Sequence, residues 1–320
     1  MRESLTDEQV LSMIHQVFPQ AEPVALTRFP GRHQNSNYDL KIRNPTMEVA
    51  IKVYQNAADQ RPWQEARLLQ LLTSETGVPV PRVLYFDDSG DLLPEPWILY
   101  TRLPGRPLAD VLGEMDEWAL EAIGYEMGRY MARIHQIPLE TFGDLFASEF
   151  EGSVFEHEKA FVLDLADRCL TTCVVAQAMP PAEADRIRHI LETSTVLTQT
   201  QACLIHGDYT PDHIIVEFSI TDYHVTGVLD LTHAQASALE HDMSRLFNRW
   251  FEERAPLQKG FLDGYTEAAE MQARFWDRLH IYRLVDYLEQ AARLCAQKAT
   301  QAECSEAIQR LERFTTRFAN

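Results

Sequence analysis

Residues 47–54, Met-Glu-Val-Ala-Ile-Lys-Val-Tyr, alternate with period two. Val49, Ile51 and Val53 share one face, and Ala50, Lys52 and Tyr54 share the other. That spacing predicts a β-strand. Residues 23–29 and 37–43 alternate in the same way and predict two earlier strands, joined by the turn Pro-Gly-Arg-His-Gln-Asn-Ser-Asn. Over 58–77 the period changes: Trp63, Ala66, Leu69 and Leu72 fall near helical spacing and Gly77 is a C-terminal stop. Residues 78–88 and 97–100 predict two more strands, and the stretch 94–108 ends in the loop Leu103-Pro104-Gly105. Beyond 108 the pattern is mostly helical. Residues 116–137 put Leu120, Ile123, Met127, Met131 and Ile134 on one face, and further helices are predicted over 155–177, 181–197 and much of 237–318. The first eighteen residues lack an apolar core of the signal-peptide kind. They read as an amphipathic helix opened by Thr6, with Gln9 three residues on.

One segment breaks the helical pattern. Two apolar, strand-like runs, 203–205 and 225–229, each lead to a carboxylate, Asp208 and Asp230, with Ile214–Phe218 between them able to pair back as a hairpin strand. The hairpin is expected to bring both carboxylates to one edge. Phosphoryl transfer needs two such groups: one takes the proton of an attacking hydroxyl, and another holds the metal that neutralises the phosphates. His213 follows Asp208 by five residues, the spacing of a kinase metal ligand. Upstream, Lys52 lies mid-strand among apolar residues, where burial without a partner is costly. Glu65 falls off the apolar row of the following helix and can point back at it. The plainer readings are a hydrogen-bonded His-x-Asp turn and a Lys and Glu that both end in water.

His206-Gly207-Asp208, four residues, His213, then Gly227-Val228-Leu229-Asp230 resembles the aminoglycoside phosphotransferase and choline-kinase group. That resemblance implies an α+β, protein-kinase-like fold in two lobes. An antiparallel-sheet lobe over 1–100 would bind nucleotide, and a larger helical lobe over 101–320 would carry catalysis and the acceptor. It implies Asp208 as the catalytic residue and Asp230 and His213 as ligands of Mg²⁺, with ATP or GTP as co-substrate. It implies Lys52, held by Glu65, on the nucleotide phosphates, since Val49-Ala50-Ile51-Lys52 matches the kinase lysine strand. Asn35 and Ser36 in the first turn are candidates to donate to phosphate, and Tyr100 and Leu103 flank the stretch where relatives contact the nucleobase. His206 and Asp242, the latter in Glu240-His241-Asp242-Met243, would support the catalytic loop, and His135 would be structural. The family pattern has Asn where this chain has His213, a feature similar to macrolide phosphotransferases. Magnesium prefers oxygen ligands, so His213 is open to a second role, on a phosphate oxygen or in the loop.

Composition narrows the partners. The net charge is −19 over 320 residues, which argues against a nucleic-acid surface and is compatible equally with a cationic small-molecule acceptor, such as an amino sugar or an amine, and with solubility alone; the His213 resemblance adds a macrolide as an acceptor. Asp242, Asp263, Glu267, Asp286 and Glu289 are the acids considered for a cationic acceptor. No window is apolar enough to span a bilayer. The five cysteines show no Cys-x-x-Cys spacing and are expected as reduced thiols in a cytoplasmic enzyme. Two other readings stay open: a metal-dependent hydrolase using His206, Asp208, His213 and Asp230, and a kinase-fold protein that binds nucleotide without turnover.

Overall fold

Thr6 opens the first helix, α1 (Asp7–His15), through a reciprocal cap: Gln9 N donates to Thr6 Oγ1 at 3.2 Å and Thr6 N donates to Gln9 Oε1 at 2.9 Å. The computed structural model describes residues 5–29, 35–55, 61–147, 152–199, 201–297 and 300–318. Internal contacts divide the chain into two units, Met1–Glu114 with Pro211–His233, and Met115–Thr210 with Ala234–Asn320.

The first unit is built on an antiparallel sheet of β1 (Glu22–Arg28), β2 (Ser36–Arg43), β3 (Met47–Val53), β4 (Val83–Asp87) and β5 (Trp97–Thr101), in the order β1-β2-β3-β5-β4. Both faces of β3 are covered. Val49, Ile51 and Val53 join one core with Val10, Met13 and Ile14 of α1, whereas Tyr54 packs with Ile98 and with Ala66 of α2 (Pro62–Glu75). A fully buried Val or Ile contributes about 1.5–3 kcal/mol, so this strand is firmly anchored. The helix ends at Thr76, and Gly77 takes the left-handed conformation that glycine reaches without strain. The unit runs past residue 100 and takes back 211–233. There Ile214–Ser219 and Asp222–Val228 form the expected hairpin, and Ile215 and Val216 also pair with the two-residue strand Arg106–Pro107. Gly105 is needed for that pairing. Its φ is +109°, and a Cβ there would collide with the carbonyl of Val216.

The second unit is helical: α3 (Glu117–His135), α4 (Glu158–Val175), α5 (Pro181–Thr193), α6 (Leu239–Arg249), α7 (Ala255–Ala268), α8 (Phe275–Ala296) and α9 (Gln301–Thr315). Of the predicted stripe on α3, Ile123, Met127, Met131 and Ile134 are fully buried and Leu120 is half-buried. The strand Ala202–Ile205 pairs with Pro138–Leu139 and with Gln235–Ser237; these short partners carry no periodicity and were not expected. Among the described residues no helix is long and apolar enough to cross a membrane.

Candidate active site

In the first unit, period-two alternation turns Lys52 onto the Tyr54 face of β3, and α2 brings Glu65 to it. Lys52 Nζ donates to Glu65 Oε2 at 2.8 Å and Oε1 at 3.0 Å, and to Asp230 Oδ1 at 3.0 Å. Tyr54 Oη donates to Glu65 Oε2 at 2.5 Å, and Thr232 Oγ1 donates to Asp230 Oδ1 at 2.6 Å. Burial alone would favour neutral Lys52, but the carboxylates of Asp230 and Glu65 outweigh it and hold the ammonium above its ordinary range. Burial likewise opposes the Asp230 carboxylate. The charges of Lys52 and His213 and the Thr232 hydroxyl overcome it and keep this acid well below the usual carboxylate range.

Asp230 follows the second hairpin strand with φ +65°, a left-handed conformation in which Asp and Asn are enriched among non-glycine residues. Its Oδ2 lies 3.7 Å from His213 Nε2, too far for a direct hydrogen bond. Leu229 N donates to the His213 carbonyl at 2.9 Å and Val228 N to Pro79 at 2.7 Å, so the backbone leading into Asp230 is held on both sides.

The other expected nucleotide contacts are more occupied than the sequence implied. Asn35 Oδ1 accepts from Gln55 N at 3.3 Å, and Ser36 Oγ accepts from Arg28 Nη2 at 3.2 Å. Residues 30–34 of that turn, Gly31 included, lie outside the described residues. Tyr100 sits opposite Ala50 and Val83 in the sheet, and burial pushes its phenol upward. Leu103 packs over Gly227, where a Cβ would overlap Leu103 Cδ1.

In the second unit the strand Ala202–Ile205 runs into His206-Gly207-Asp208, and Gly207 turns the chain with φ +77°. Asp242, in the first turn of α6, clasps this turn: its Oδ2 accepts from His206 N at 2.7 Å and its Oδ1 from Gly207 N at 2.8 Å. His135 Nε2 lies 3.2 Å from Asp242 Oδ2, and its Nδ1 lies 3.0 Å from Tyr265 Oη. A carboxylate only accepts, so Nε2 carries the proton and Nδ1 accepts from the tyrosine. Burial pushes Asp242 toward its neutral form. The hydrogen bonds from the His135 ring and the His206 amide prevail and hold its carboxyl low. His206 Nδ1 accepts from Asp208 N at 3.2 Å.

Arg245 was not among the expected site residues. Its Nη1 donates to Asp208 Oδ1 at 2.5 Å and to the Gly207 carbonyl at 2.7 Å, while its Nε donates to buried Asp286 at 3.2 Å. The signal existed: Arg245 stands three residues after Asp242, one helical turn along the same face. Thr232 and Tyr54 were also missed. Among the described residues no group of three or more His, Cys, Asp or Glu side chains is arranged to hold a metal ion.

The fold is found in known proteins. The chain is similar to a thermostable mutant of aminoglycoside phosphotransferase APH(4)-Ia, with TM-score 0.70 and 15% identity over 98% of this chain and 100% of the other. Its ternary complex with AMP-PNP and hygromycin B matches with TM-score 0.67 and 15% identity, over 96% of this chain and 98% of that one. The complex of APH(2″)-IIIa with GDP and kanamycin matches with TM-score 0.66 and 18% identity, also over 96% and 98%. The fold is therefore that of the kinase-like phosphotransferases, a sheet unit and a helical unit. A family model described as "Phosphotransferase enzyme family" matches residues 25–282, a span that holds both constellations. The chain that joins Lys52 to Asp230 and clasps His206-Gly207-Asp208 with Asp242 belongs to the phosphotransferase enzyme family.

Proposed function

We propose that this protein transfers the γ-phosphoryl group of a nucleoside triphosphate to a hydroxyl of a small molecule. The observation that carries the reading is Lys52, bonded at once to Glu65 and Asp230. One ammonium faces two carboxylates, an excess of negative charge that suits a divalent cation and leaves the ammonium ready for phosphate oxygens. Asp230 offers the hard oxygen donor that Mg²⁺ prefers. His213 stands beside it, 3.7 Å from Oδ2, and would share the metal as the weaker ligand, imidazole being a poorer donor to Mg²⁺ than oxygen. Magnesium, when bound, neutralises charge on the phosphate oxygens.

The protein's own part is positioning. Lys52 pairs with the α/β-phosphates and Glu65 keeps it aimed. Asp208 accepts the hydrogen of the acceptor hydroxyl and orients its oxygen, and Asp242 fixes the turn that carries Asp208. Such positioning and charge stabilisation supply most of the rate in this chemistry. Tyr100 and Leu103 lie where the base would rest. The AMP-PNP and GDP complexes of the similar structures support a nucleotide co-substrate of either base, and their hygromycin B and kanamycin support a small hydroxylated acceptor. A nucleotide-consumption screen with ATP and GTP against amino sugars, macrolides, amino alcohols and sugar acids tests the proposal. Acceptor-dependent release of the nucleoside diphosphate supports it, and purified protein that binds neither nucleotide contradicts it.

A further inference from the structure

We infer that the acceptor carries an anionic group near its reactive hydroxyl, and that Arg249 is the residue that receives it. This deepens the phosphotransferase reading and rests on it. Five acids were candidates to meet a cationic acceptor, and each is engaged. Asp242 clasps the loop amides. Asp263 pairs with Lys259, and Glu267 accepts from Tyr125. Glu289 Oε2 lies 3.0 Å from His241 Nε2. Asp286 is shared, accepting from Arg245 Nε at 3.2 Å, Arg249 Nη2 at 3.0 Å and Asn248 Nδ2 at 2.9 Å.

One buried carboxylate therefore serves two guanidiniums beside Asp208. Arg245 spends its Nη1 on Asp208 and Gly207. Arg249 does not saturate its donors: its Nε is buried with no acceptor. A buried guanidinium donor without a partner is costly, and the 24% of the side chain left exposed is where a ligand oxygen would meet the guanidinium. Arg245, Arg249 and Arg293 stand here against Asp208, Asp286 and Glu289, so the site is not the acidic one that the total charge suggests. Burial, offset by Asp286 and reinforced by repulsion from Arg245 and Arg293, holds the Arg249 guanidinium below its ordinary range. An ammonium brought to this place meets arginines and acids that are already paired. A carboxylate meets Arg249 and can form a charge-assisted, potentially two-pronged contact. The overall charge of −19 does not describe this neighbourhood.

The test compares acceptors that share a skeleton and differ in charge, such as galacturonate with galactosamine, and glycerate with 3-amino-1,2-propanediol, by kcat/KM for nucleotide consumption. The acids should exceed the amines by about tenfold or more, and Arg249→Gln should raise KM for the acids about tenfold to hundredfold, the value of a charged hydrogen bond. The KM of the neutral sugar of the same skeleton, galactose, should move far less, which a merely structural role for Arg249 would not produce. Arg249→Lys keeps the charge and should recover part of the acid preference, and it stands in if the Gln variant unfolds. Equal or better turnover of the amines, inert acids, or an equal KM rise for acidic and neutral acceptors overturns the inference and leaves the phosphotransferase reading standing. Loss of nucleotide binding in the unmodified protein would instead remove the reading beneath it.

Discussion

Lys52 is as deeply buried as many of the core aliphatics, and only its two carboxylate partners make that tenable. Lys52→Ala should therefore cost about 3–5 kcal/mol of stability, because it strands buried charge, and it should weaken nucleotide binding and lower kcat together. Glu65→Ala should give a milder defect of the same kind. In the double variant the two losses should be much less than additive, as for residues in contact; urea unfolding and nucleotide titration measure this, and full additivity would argue against the pairing. At Asp230 the partner question is His213. Asn supplies an oxygen better suited to Mg²⁺, so His213→Asn should keep substantial activity and His213→Ala should lose more. Equal losses in Mg²⁺-activation assays would show that the side chain serves the loop alone. The Lys52–Glu65 pair was legible because a lysine amid a two-period apolar strand demands a partner. Arg245 was not, since an arginine on a helix reads as solvated until the turn it reaches is known.

At the scale of elements, α3 and α7 pack almost backbone to backbone. Added Cβ atoms at Gly124, Gly128, Gly260 or Gly264 would run into the facing main chain; that of Gly264 would strike the carbonyl of Tyr125. In an exposed helix Gly→Ala gains about 1 kcal/mol. Here Gly264→Ala should instead destabilise by about 1–3 kcal/mol, because overpacking forces the helices apart. Gly113 has open space around its Cβ position, and Gly113→Ala should stay within about 0.5 kcal/mol. Urea midpoints compare the two, and a stabilised Gly264→Ala would contradict the close packing. The four-residue spacing of both glycine pairs is visible in the sequence, but the apolar rows alone predicted the helices and said nothing of their approach. The strand Arg106–Pro107 was equally hidden: two residues carry no period, and only Gly105 and its left-handed turn mark the place.

For the molecule as a whole, the distribution of charge matters more than its sum. Asp230, Asp242 and Glu289 are each opposed by burial and held low by their partners, Lys52, His135 and His241 respectively among them. A carboxyl depressed in the folded state contributes stability that is fully present above its unfolded pKa, about 4, and is lost as pH falls through the folded value. Lys52, raised in the folded state, contributes below about pH 10 and loses that contribution as pH rises through its folded value. Glu158, raised chiefly by burial, works the other way and favours the acid side. Glu48 and Asp87 are also held low and Asp39 is also raised, so with five depressed acids against two raised the urea midpoint should be flat from about pH 6 to 9 and fall below about pH 4. A midpoint that rises on acidification would show that the buried carboxylates are not ionised. The two-part division by fold class was legible from the change of period near residue 100, whereas the return of 211–233 to the first unit depends on pairing that no local pattern encodes. The account as a whole turns on Asp208 as the group that orients the acceptor. On the best acceptor found by the nucleotide screen, Asp208→Asn should bind nucleotide within a few-fold of the unmodified protein by calorimetry and turn over about 10²–10⁴-fold more slowly. Turnover within a few-fold of the unmodified protein would contradict it.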